Sequence, residues 1–96
     1  MRVWALELIT IYNEWPELRE FAGVFATSEE AKADCPSKGK WDSLNRLLVP
    51  NVSPVVKQWW VVYEIEVGKS HDVTWLYRDI ENEYAQINEP EVSEIT

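Results

Sequence analysis

The sequence predicts a small α+β domain: a mostly antiparallel sheet of three or four strands with one short helix. Three observations carry that expectation. The run at 58–67, Gln-Trp-Trp-Val-Val-Tyr-Glu-Ile-Glu-Val, is apolar on both alternating faces, with Trp59, Val61, Tyr63, Ile65 and Val67 on one and Trp60 and Val62 on the other. Such a strand needs cover from two sides and belongs inside a sheet. Residues 2–12 repeat the pattern with branched and aromatic side chains, which suggests a second central strand. Thr27-Ser28-Glu29-Glu30 is a capping box: Thr27 caps a helix and Glu30 completes the box three places on.

Taken in order, strand 2–12 carries one exception to its apolar character, Glu7, which shares a face with Val3, Ala5 and Ile9. A salt-bridged or edge-facing carboxylate fits that position better than a functional one. Asn13-Glu14-Trp15-Pro16-Glu17 is a turn, because Pro16 biases Trp15 away from helix. A short strand follows at 20–26, where Gly23 marks a bulge or a close contact with a large neighbour. The helix spans 27–35 and ends at Cys35-Pro36. The connection at 36–57 is long for a small domain. Pro36, Pro50 and Pro54 interrupt it, while Trp41, Leu44, Leu47 and Leu48 show helical spacing over a turn or two. It either seals one face of the sheet or projects as a partner-binding loop.

After strand 58–67 and a turn at Gly68-Lys69-Ser70-His71-Asp72, residues 73–77 read as a short returning strand and 79–87 as a short helix or turn. A competing pattern runs through both segments. Val73, Leu76, Ile80, Tyr84 and Ile87 form a stripe at helical spacing. One domain is expected over 1–88, with 89–96 as a frayed acidic tail.

A chain of 96 residues, 46% hydrophobic, with six tryptophans and four tyrosines, has enough apolar area for one core. No apolar run approaches a membrane span and the opening residues lack a secretory layout, so a cytoplasmic protein is expected. The lone Cys35 excludes an internal disulfide and reads as an inert residue at a helix end.

The net charge of −8 opposes direct capture of nucleic acid. Its distribution is uneven. Asp79, Glu81, Glu83, Glu89, Glu91 and Glu94 crowd the end of the chain, whereas Lys32, Lys38, Lys40, Arg46 and Lys57 leave 27–57 slightly basic.

Enzymatic signatures are sparse. His71 is the one histidine, and Gly68-Lys69-Ser70 lacks the upstream glycine of a phosphate-binding loop. Glu64 and Glu66 lie two apart on one strand face, an arrangement that more often marks a strand leaving the core than an acid–base pair. No cofactor and no metal site are expected, and no catalytic residue is assigned.

The Val3-Trp4 strand, the Gly23-Val24-Phe25 passage into Ser28-Glu29-Glu30-Ala31, and the late aromatic strand ending in Glu64 and Glu66 occur in that order. Together they resemble small uncharacterised phage and prophage accessory proteins with a "GVFxSxEEA" strand-to-helix turn. The match covers about two-thirds of the chain, departing at 36–57 and in the acidic tail. The resemblance implies an accessory protein encoded by a mobile element, and it transfers no catalytic residues.

The function expected is therefore a small acidic, non-enzymatic interaction protein that binds and inhibits a host or defence protein, in the manner of an anti-CRISPR or nucleic-acid-mimic inhibitor. Aromatic anchors dominate interfaces and acidic surfaces speed encounter with basic partners. Trp15 and Trp41, which sit in connections, are the expected contact residues, with Arg46, Asp79, Glu81 and Glu83 as charged contacts. One alternative is a homodimeric structural module that covers a sheet face left bare by the monomer. A second is a small hydrolase or nucleotide-binding enzyme, which requires Glu64, Glu66, His71 and Asp72 to converge.

Overall fold

Two antiparallel strands form the centre of the molecule: β1 (Arg2–Tyr12) and β4 (Val55–Glu66), paired along almost their whole length from Arg2↔Glu66 to Tyr12↔Val55. β2 (Leu18–Phe25) flanks β1 and β3 (Arg46–Val49) flanks β4, giving a four-stranded sheet in the order β2-β1-β4-β3. Helix α1 (Ser28–Asp34), a 3-10 turn at Thr74–Tyr77 and helix α2 (Ile80–Asn88) complete the α+β fold. The computed structural model describes residues 1–50, 53–70 and 72–88, so the tail expected at 89–96 lies outside the described residues.

The double-tryptophan strand is covered from both sides. Trp60 and Val62 join Leu6, Ala31, Cys35 and Leu47 on the first face, under α1 and Trp41. Trp59 and Val61 join Ile9, Leu76, Ile80 and Tyr84 on the second, under the 3-10 turn and α2. Trp59 is fully buried and Trp60 is 9% exposed. Trp59 meets Tyr77 edge-on at 5.7 Å between ring centroids, and the Trp60 indole N–H donates to Ser37 Oγ at 3.0 Å. Burying two such side chains supplies area that a small domain needs, and removing either ring costs about 3–5 kcal/mol in typical cores. Both faces of the central strands β1 and β4 are thus covered within one chain, while Leu18, Phe21 and Val24 of β2 stay exposed.

Local signals explain most of the elements. Thr27 accepts the Glu30 N–H at 3.1 Å, and α1 stops at Cys35, whose burial pushes its thiol pKa up. The register between β1 and β2 slips so that Leu6 faces Gly23 while Glu7 faces Phe21, leaving Ala22 as the extra residue of a bulge. Gly23 has φ +154, beyond what most side chains tolerate.

Two expectations are corrected. Residues 73–77 do not return as a strand. They turn as a 3-10 helix begun by Asp72 Oδ1, which accepts the Thr74 N–H at 3.0 Å. The helical stripe prevails because Val73, Leu76, Ile80 and Tyr84 all land on the second face of the sheet.

The connection at 36–57 is not irregular throughout. It holds β3, entered through Asn45 at φ 59, a left-handed position that asparagine tolerates, and it contributes the start of β4. Its Trp41 and Leu47 pack on the first face, with Lys32 Nζ 5.6 Å from the Trp41 ring.

Candidate protein-interaction edge

The two outer strands differ in how they end the sheet. β3 is four residues long and built around Arg46, which is 1% exposed. Asp42 occupies the outer side of this strand. Its N–H donates to the Arg46 carbonyl at 2.9 Å, its Oδ1 accepts the Arg46 N–H at 2.9 Å and its Oδ2 accepts from Arg46 Nε at 2.9 Å.

The guanidinium then reaches across to the second-face cover. Nη1 donates to the carbonyls of Leu76 at 3.2 Å and Arg78 at 2.6 Å, and Nη2 donates to Glu83. A planar fork with several fixed donors suits this clamp in a way that lysine would not. Burial raises the Glu83 pKa, as does its hydrogen bond with Asp42. For Asp42, burial works upward, but that same bond, the Arg46 backbone N–H and the Arg46 charge bring it below its ordinary value. Nearby, the Tyr84 hydroxyl donates to the Val49 carbonyl at 2.8 Å and accepts the Gln58 N–H, plugging the end of the β3–β4 ladder.

β2 ends the sheet without such cover. It is eight residues long, and among the described residues no segment pairs with its outer side. Phe21 is 62% exposed, Val24 52% and Leu18 43%. The register places Arg19, Phe21 and Val24 on the second face, and Leu18, Glu20 and Phe25 on the first. Trp15, in the turn leading into β2, is 64% exposed and tilted against Tyr12 at 5.5 Å. Tyr12, Asn13, Glu14, Trp15 and Pro54 line a shallow surface pocket there.

Behind β2 the second face is firmly braced. Glu7, 6% exposed, receives Arg19 Nε at 2.6 Å and Nη2 at 2.8 Å, together with the Tyr63 hydroxyl at 2.7 Å. This is the salt-bridged carboxylate that the sequence suggests. Burial and the Glu7 carboxylate push Tyr63 up to about 12, and burial with the Glu17 carboxylate pushes Tyr77 up to about 12. The brace fixes β2 against β1 while leaving its far side bare.

The expected contact residues fall into different places. Trp15 is on the surface as expected. Trp41 is half-buried against the first-face core. Arg46 is corrected: it is the buried clamp of the β3 edge and cannot offer its guanidinium to a partner. Glu83 is tied to Arg46, and exposed Glu81 pairs with Lys57. Asp79 holds a left-handed turn at φ 56 before α2, where its carbonyl accepts the Glu83 N–H at 3.1 Å.

Of the residues that an enzyme would need together, Glu64 pairs with Arg2, Glu66 with Lys69, and Asp72 is held by Thr74. His71 lies outside the described residues.

Sequence reasoning passed over Leu18, Phe21 and Val24, because apolar residues in a strand read as core. The available signal was Arg19-Glu20 beside them with a glycine in the strand, a combination typical of edges.

Comparison of the chain with protein-family models, curated proteins and solved structures finds no match. Among the described residues no helix is long and apolar enough to cross a membrane.

Proposed function

We propose that this protein is a small acidic, non-enzymatic interaction module that binds another protein through the β2 edge and the Trp15 turn. One observation carries the reading. The central strands β1 and β4 are covered on both faces, yet Leu18, Phe21 and Val24 of β2 and Trp15 of the turn before it remain in solvent. Exposed aromatic side chains on a rigid frame are favourable docking anchors, because little ordering entropy is lost when they are buried.

The net charge of −8 supports a basic partner, such as a nucleic-acid-binding host or defence protein. The inhibitory role and an origin in a mobile element rest on the resemblance to phage accessory proteins. The homodimeric alternative would use the same edge, and light scattering separates it from a monomeric binder.

The test is capture from a host lysate at low and high salt, comparing the native protein with a Trp15→Ala, Phe21→Ser double variant. The reading predicts a stoichiometric partner that the variant loses while keeping its fold by circular dichroism. A partner retained equally by the variant, or none at any salt, overturns it.

A further inference from the structure

We propose that the β2 edge takes up an extended strand from the partner, one that alternates basic and apolar residues and extends the sheet. The proposal rests on the interaction reading above and specifies its chemistry. A terminal strand presents a row of backbone donors and acceptors, and strand addition gives affinity through the main chain and selectivity through alternate side chains.

The two faces of β2 set that selectivity. Phe21 and Val24 give the second face an apolar strip, because Arg19 beside them is already neutralised by Glu7. On the first face Glu20 is exposed, and α1, which covers that face, carries Glu29 and Glu30 while its Lys32 lies over the Trp41 ring. An incoming strand therefore meets Phe21 and Val24 on one side and, beside Leu18, the Glu20 carboxylate on the other. Lysine or arginine at alternate positions satisfies the acidic side, and valine-like residues satisfy the apolar side.

A second copy of the chain fits less well. Antiparallel addition about an axis normal to the sheet keeps each residue on its own face. Glu20, Glu29 and Glu30 of one copy would then share a face with their twins, in molecules that each carry −8. The bulge at Ala22 also interrupts the edge, so the strongest pairing is expected along 18–21.

The experiment uses the intact protein and a capped octapeptide of alternating lysine and valine, followed by amide NMR shifts. Two control peptides accompany it: a glutamate–valine counterpart, and the lysine–valine peptide with methylated backbone nitrogens. The basic peptide should shift amides of 18–25, bind at least about tenfold more tightly than the acidic one, and lose binding when methylated. Glu20→Lys should lower the preference for the basic peptide by at least about fivefold.

Equal binding of both charged peptides, shifts that map away from β2, an unchanged preference in Glu20→Lys, or self-association through β2 in place of peptide binding overturns the proposal. If the peptide fails while the Trp15→Ala, Phe21→Ser variant still loses its captured partner, strand addition falls and the interaction reading stands. If both fail, both are overturned.

Discussion

β3 and β2 end the same sheet in opposite ways. At β3, Asp42 takes the outward backbone groups of Arg46, and the Arg46 side chain fastens the strand to Leu76, Arg78 and Glu83. At β2, Arg19 is locked on Glu7 while Glu20 is exposed, and the outer side is left to solvent with three apolar side chains beside it. Free edges invite unwanted pairing, and proteins usually blunt them. Here one edge is blunted by a buried ion and the other keeps its apolar residues. The apolar exposure at β2 contrasts with β1 and β4, which are covered on both faces, and with β3, whose edge Asp42 closes at Arg46.

The largest expected effect breaks the closed edge. Arg46→Leu leaves Asp42 and Glu83 facing each other without their cation, and it should cost about 3–5 kcal/mol in denaturant unfolding at neutral pH. The loss should shrink on acidification as the raised Glu83 carboxyl takes a proton. A loss that does not change with pH contradicts the ion-pair account of that edge.

Tyr84→Phe comes next. It removes the hydroxyl that bridges Val49 and Gln58 and should cost about 1–3 kcal/mol, with faster amide exchange at Gln58 than in the native protein.

A smaller effect tests the brace behind the open edge. Tyr63 and Tyr77 titrate above the ordinary tyrosine value near 10. Raised folded-state pKa values contribute stability that is complete below pH about 10 and is lost as pH climbs toward about 12. Tyr63→Phe should flatten part of that alkaline decline in the unfolding midpoint. An identical decline would remove Tyr63 from the brace. At the bottom of the scale, Phe21→Ser on the open edge should change stability by no more than about 0.5 kcal/mol.

Much of the frame was legible in the chain. The two-sided apolar run placed β4 inside the sheet, the Thr27–Glu30 box placed α1, and Gly23 marked the bulge. What escaped depends on distant residues. β3 is short, and Leu44, Leu47 and Leu48 mimic helical spacing, so only pairing with β4 reveals it. Arg46 looked like a surface cation because, apart from Asp42, the groups that satisfy its guanidinium lie 30 to 37 residues further along the chain. Whether Phe21 faces core or solvent turns on strand order, which alternation does not encode.

β3 is closed at Arg46 and β2 is open along its outer side, and amide hydrogen exchange on the free protein separates the two edges directly. The account predicts that Arg46 exchanges as slowly as the β4 core, while alternate amides of 18–25 exchange quickly. Slow exchange along the whole of β2 in the isolated monomer, or fast exchange at Arg46, would contradict it.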